Sequence, residues 1–454
     1  MRRTGRVLLF TLFGLLLAAL VEVRVVMVVI AGAAVCAFVP AWRQRALFAA
    51  TLAGVLLNPA WCLDAPFIEV LERANAGGMF SVRNTLRIVT LVFFAGSWLL
   101  LRHAAHQPTA WLARHPVLCM FASIAVLSAV ALQWPSIWLL LGVKIAASYM
   151  WFLCYAIVDQ RAHKGSTPGL ALGMFHPFWG SPVTPIGKGS AYIAKLTSHD
   201  PQDLAVTQLK ALKLLVWALL LAWSSRALTQ LAGDVFGIPP LAELLDAFVR
   251  GQRFPRSVGW GAVAVATAIA AIELAAWGHQ VVACARLAGW RLRRNSWRPL
   301  RSRSLADFWN RYYYYFKELL VDFFFYPTFL RCWKRSPRLR VFFATFVAAG
   351  VGNALYHFVR DIDLLFTMGV PAALEGFESY LVYCFVLALG IGISQLRRES
   401  PEAPHTHGRL RQVWAASCVW AFVACIHVFG GIEARTHSLS ERAAFMAHQL
   451  GIQP

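Results

Sequence analysis

Apolar windows of near-spanning length recur along the whole chain. They fall near 7–21, 25–39, 46–63, 88–101, 116–132, 134–158, 212–228, 259–287, 341–359, 376–396 and 413–430. A lipid interior offers no partner for exposed N–H and C=O groups, so windows of this kind are read as helices that satisfy their own backbone. Several are short, which predicts tilted or partly inserted helices among about eleven spans. Only 14% of residues are charged and mean hydropathy is +0.56, against about 25% charged in ordinary soluble domains. That balance excludes a soluble fold and leaves little material for a separate aqueous domain. The expectation is an all-α integral membrane protein, with residues 1–454 forming a single polytopic domain.

The formal net charge of +21 is concentrated near 286–303, 331–340 and 397–411. Basic clusters flanking spans mark the cytoplasmic side, so topology accounts for much of the excess, and no nucleic-acid partner is expected. The same basic mouth would attract an acidic carrier protein or the phosphates of a coenzyme. The start MRRTGRVLLFTLFGLLLAAL has the basic and apolar parts of a signal peptide, but a second apolar run follows at once, so it reads as a retained first span. The nine cysteines are scattered without CxxC or Cys/His spacing, and no structural metal or disulfide framework is expected.

Three stretches depart from the spanning pattern. Residues 308–329 are apolar and aromatic yet contain Arg311, Lys317, Glu318 and Asp322, with basic flanks on both sides. This is expected to be a re-entrant or interfacial helix pair that enters and leaves on the cytoplasmic side. Residues 161–208 are the longest non-spanning stretch, centred on PGLALGMFHPFWGSPVTPIGKGS. That centre is either a surface loop or a re-entrant element lining a chamber. The motif LAELLDAFV, within 228–257, offers a short amphipathic helix at a membrane surface.

His357 lies deep in the window 341–359, just after the small-residue run AAGVGNA. An ionisable group inside a span costs energy, about 2.5 to 3.5 kcal/mol on insertion scales for permanently charged residues, and so faces a cavity, a partner or a substrate. Imidazole is the common proton acceptor near neutral pH. The bland alternative is a packed histidine with one satisfied nitrogen.

Upstream of it stand AWGHQVVACARLAGW (276–290) and NSWRPLRSRSLADFWNRYYYYFKELLVDFFFYP (295–327), followed by ALYHF (354–358). In this order the region 273–360 resembles the membrane-bound O-acyltransferase family, in its bacterial branch of alginate O-acetylases and D-alanyl transfer proteins. The residues that carry the likeness are Arg286, Leu287, Gly289, Asn295, Pro299, Ser304, Phe308, Trp309, Arg311, Asp322 and Pro327. The resemblance implies transmembrane and re-entrant helices around a central tunnel, with His357 as catalytic base. It also implies a tunnel to which His279, Trp309, Asn310, Arg311, Asp322 and Asn353 contribute. Where that branch has a second histidine this chain has Tyr313, implied to orient a reacting group, and where it has an aspartate this chain has His279. For Arg311 and Asp322 a structural ion pair or helix-end contact stands beside the tunnel role, and for His279 a structural replacement does.

The implied activity moves an acyl group from a cytoplasmic thioester to a hydroxyl-bearing acceptor, with no permanently bound cofactor. The donor is acyl-CoA or a phosphopantetheine-linked acyl carrier protein, and the surroundings are membrane lipid of a bacterial inner membrane. A periplasmic relay partner is a further implied possibility. The substitutions at Tyr313 and His279 motivate a rival, a transporter or scaffold that keeps such a fold without the chemistry.

Overall fold

The computed structural model describes residues 3–162, 167–180, 183–396, 409–430 and 437–452. Among these the chain is helical, with a lone antiparallel bridge between Thr197 and Trp290 in place of any sheet. Eight helices are long and apolar enough to cross a membrane: Val82–His106, Pro116–Gln133, Ile137–Arg161, Pro201–Val235, Arg256–Leu287, Pro337–Arg360, Val370–Leu396 and Arg409–Gly430. An all-helical, multi-pass membrane protein follows. The first three apolar windows form shorter helices, Arg3–Ala18, Val23–Phe38 and Arg43–Leu57. Most of the third basic cluster, residues 397–408, lies outside the described residues, as do Ser181 and Pro182 of the Gly/Pro-rich motif.

Helix starts follow local chemistry. Side chains of Asp64, Ser136, Thr167, Ser304 and Ser438 accept hydrogen bonds from the third residue beyond each, occupying donors that the first helical turn leaves open. Ser438 and Glu441 complete a reciprocal capping box. Pro116, Pro168 and Pro337 stand at first helical positions, where a missing N–H costs nothing.

The chain folds into two compact units. The first comprises Met1–Leu219, His279–Arg294 and Val359–Met368. Its centre is the helix Ile137–Arg161, whose apolar window is 83% buried, packed against Val82–His106 and Pro116–Gln133. Tyr149 on this helix meets Phe93, Phe94 and Phe175 at ring separations of 5.4 to 5.7 Å. Phe175 belongs to the Gly/Pro-rich stretch, whose residues Leu170 to Phe175 are buried together with Phe178 and Trp179. The surface-loop reading of that stretch is therefore corrected. Its irregular backbone is satisfied from within, since the Thr51 hydroxyl lies 2.7 Å from the Gly173 carbonyl and 3.0 Å from that of His176.

The second unit comprises Leu220–Gly278, Asn295–Phe358 and Gly369–Pro454. The expected amphipathic helix is present as Leu241–Val249, burying Leu241, Leu244 and Leu245 against Phe445 and Met446. The stretch expected to be a helix pair is broken into pieces: Leu305–Tyr312, Tyr314–Leu320, a π-helical turn Val321–Phe325, and Tyr326–Arg331. Another π-helical turn, Val347–Gly352, interrupts the helix that carries His357. Wide turns of this kind often mark functional sites.

Candidate functional site

The break at Tyr313 is held by the loop before it. Asn295 accepts the Tyr314 N–H on its carbonyl at 2.9 Å and the Tyr315 N–H on its side chain at 3.3 Å. The Ser296 hydroxyl donates to the Tyr312 carbonyl at 2.5 Å, and the Trp297 N–H to that of Arg311 at 2.7 Å. Four backbone groups exposed by the break are thereby paired. Tyr313, with extended φ and ψ of −139° and 75°, takes its position from this clamp.

The four consecutive tyrosines divide their roles, because the break at Tyr313 separates Tyr312 on one helix from Tyr314 and Tyr315 on the next. Tyr312 stacks on Phe308 at 4.7 Å, and Tyr313 meets Trp277 at 6.4 Å and Phe316 at 5.3 Å. Tyr314 receives the Lys317 ammonium over its ring at 5.1 Å, while Tyr315 is fully buried. Burial pushes the Tyr312 phenol up to about 12, so it stays neutral at any physiological pH.

His357 sits in an aromatic box. Its ring is 4.9 Å from that of Tyr380, 5.5 Å from Tyr356 and 6.2 Å from Phe316. Phe316 thus touches both His357 and Tyr313, and it is the residue that brings the two expected catalytic positions together. One helical turn before His357 lies Asn353, 1% exposed, whose side-chain oxygen is buried with no hydrogen-bond partner among the described residues. Residues four apart are neighbours on a helix face, so Asn353 and His357 stand one turn apart on the same side of their helix.

Asn353 lines a cavity of about 190 Å³, along with Trp309, Asn310, Lys317 and the small residues Ala348 and Ala349 of the π-helical turn. The Trp309 indole nitrogen is likewise buried without a partner among the described residues. At one wall the Thr345 hydroxyl donates to the Gln395 side-chain oxygen at 2.6 Å. The cavity is predominantly apolar with a few convergent polar groups, as small-molecule sites commonly are.

The small-residue run explains how the two π-helical turns meet beside it. A methyl group added at Gly352 would fall 2.7 Å from two ring atoms of Phe324, and one at Gly350 would fall 3.1 Å from the Phe385 ring. Glycine at both positions permits this approach, since a methyl at Gly352 would force Phe324 or the turn to shift and one at Gly350 would press on the Phe385 ring.

Of the expected site residues, Trp309, Asn310 and Asn353 line the cavity, whereas His357 and Tyr313 do not. Arg311 is paired with Asp307 at 2.7 Å, one turn back, and its guanidinium lies 5.1 Å from the Trp297 ring centroid. Its ionic role is local to that helix. Asp322 sits in the π-helical turn Val321–Phe325. His279 belongs to the first unit and is buried. Tyr380, Thr345 and Gln395 were not singled out by the sequence reading; polar residues on otherwise apolar spans were the signal for them. Chemically the region offers an imidazole held by aromatic rings and a neighbouring cavity with a buried amide and a buried indole on its wall. No family model matches the chain, and no curated protein matches it.

Proposed function

We propose that the protein is a membrane-embedded O-acyltransferase of the membrane-bound O-acyltransferase type. The observation that carries this reading is the shared helix face of Asn353 and His357, beside an apolar cavity and inside the segment that carries the family likeness. The cavity would hold the acyl thioester, with the Asn353 amide and the Trp309 indole as its polar contacts. His357 would accept the acceptor hydroxyl proton as that oxygen attacks the thioester carbonyl. The tetrahedral intermediate would then collapse to ester and thiolate, which recovers the proton from the imidazolium. Tyr313, a poor base near neutral pH but able to donate or accept a hydrogen bond, would orient a reacting group. Closing the site to bulk water limits wasteful hydrolysis of the thioester.

The full topology in this reading counts the three shorter N-terminal helices, Arg3–Ala18, Val23–Phe38 and Arg43–Leu57, with the eight long ones, giving eleven spans. The broken segment Leu305–Arg331 is the re-entrant element around a central tunnel, in a bacterial inner membrane. The donor is acyl-CoA or an acyl carrier protein drawn to the basic cytoplasmic mouth, and the acceptor carries a hydroxyl, directly or through a periplasmic partner. Purified protein in lipid, incubated with a panel of acyl-CoA and acyl-carrier thioesters and followed by mass spectrometry, tests it. Turnover of a donor with transfer to a hydroxyl supports the reading. Substrate flux across a vesicle without acyl transfer replaces it with a transporter.

A further inference from the structure

The first unit holds a separate cavity of about 240 Å³ that the proposed reaction does not use. Its wall joins Trp61, Asp64, Lys144, Ser148 and Arg360 from distant parts of the chain. Lys144 is the informative member. It is 8% exposed, lies on the central helix Ile137–Arg161, and donates to the Asp363 carboxylate at 2.5 Å. An ammonium has three N–H donors, and the other two have no acceptor among the described residues. A desolvated ammonium with open donors on a cavity wall calls for an oxyanion.

Charge narrows the class. Arg360 is held by both oxygens of Asp361, each at 2.8 Å, so the two cations reach the cavity while their acids Asp361 and Asp363 are not part of its wall. Asp64, exposed and capping the helix Ala65–Ala74 through the Phe67 N–H, is the acid of the wall itself. Lys144 and Arg360 against Asp64, Asp361 and Asp363 leave the cluster with one net negative charge, which a bare anion would increase. A zwitterion leaves that sum unchanged and uses both signs of the wall. Its oxyanion meets Lys144, Arg360 and the Ser148 hydroxyl; its ammonium meets the Asp64 carboxylate and the Trp61 ring.

We propose that this cavity binds a zwitterion carrying a phosphodiester monoanion and a primary ammonium a few bonds apart, the chemistry of glycerophosphoethanolamine. The source is either a lipid headgroup or a soluble phosphodiester of ethanolamine. The proposal stands independently of the acyl-transfer reading.

Equilibrium binding of glycerophosphoethanolamine to the full chain in detergent tests it, with inorganic phosphate and ethanolamine as separate probes. Saturable one-to-one binding is expected, at least tenfold tighter than either half alone. It should weaken at least tenfold in Asp64→Asn, which keeps the helix cap, and in the Lys144→Met/Asp363→Leu pair, which removes the ion pair without stranding a charge. Phosphatidylethanolamine retained on the purified protein and lost in both variants assigns the lipid source. Binding of the soluble compound without retained lipid assigns the other. Absence of saturable binding, phosphate bound as tightly as glycerophosphoethanolamine, or affinity unmoved by both substitutions would overturn the proposal.

Discussion

Replacing Gly352 with alanine tests whether the close approach of the two π-helical turns sets the geometry around His357. The new methyl would stand 2.7 Å from Cγ and Cδ2 of Phe324, where ordinary contact begins at 3.4 Å, so the ring or the turn must retreat by about 0.7 Å. The atoms met are the root of an aromatic ring, which moves less freely than the end of a flexible chain. Overpacking of this kind costs about 1 to 3 kcal/mol. Alanine recovers up to about 1 kcal/mol in helix propensity. The net expectation is a loss of about 1 to 2 kcal/mol in unfolding free energy, measured by denaturant titration in mixed micelles. Because Gly352 precedes Asn353 directly, transfer activity should fall further than stability, as displacements of this size at reacting groups do. Gly142→Ala, on a helix with nothing within 4 Å of the added methyl, is the control and should be neutral or slightly stabilising. Phe324→Leu in the Gly352→Ala background should restore about 1 kcal/mol. A Gly352→Ala protein as stable and active as the Gly142→Ala control would refute the reasoning.

Three further outcomes are expected. Lys144→Met alone strands the Asp363 carboxylate and should cost about 3 to 5 kcal/mol, while the Lys144→Met/Asp363→Leu pair should lie within about 1 kcal/mol of wild type, both read by the same titration. Burial lowers the His176 imidazole from 6.5 to about 4, so the unfolded chain takes up a proton that the native one refuses. Stability is then full above pH 6.5 and falls by up to about 3 kcal/mol as pH drops towards 4, a slope that His176→Gln should flatten in pH-dependent thermal unfolding. Asn353→Leu removes the unpartnered amide oxygen from an apolar wall; it should hold or raise stability while lowering kcat/KM for a thioester donor at least tenfold, as measured by steady-state kinetics.

The helices were largely legible because long apolar windows have one stable solution in lipid. The window 134–158 became Ile137–Arg161, and 341–359 lies within Pro337–Arg360. What periodicity does not encode is a local change of helical width, so the turns Val321–Phe325 and Val347–Gly352 were invisible beyond the small residues of the second. Arg311 invited pairing with Asp322 along a continuous helix; the break at Tyr313 and the nearer Asp307 settled its partner instead. The Gly/Pro-rich centre of 161–208 could not be distinguished from a surface loop by composition. Its satisfaction by Thr51, more than a hundred residues earlier, is a tertiary fact. Asn353 was readable as a polar residue in an apolar span, but its lack of a partner required the packed neighbours to be seen.

The central claim is that His357 removes a proton from a hydroxyl acceptor during acyl transfer. Its most direct measurement is the turnover of an acyl thioester by His357→Ala in lipid, beside wild type and with folding verified by thermal unfolding. The account predicts a hundredfold to ten-thousandfold loss of transfer, about the worth of a general base, with the unfolding temperature preserved. A well-folded His357→Ala protein that transfers acyl groups at the wild-type rate would contradict it.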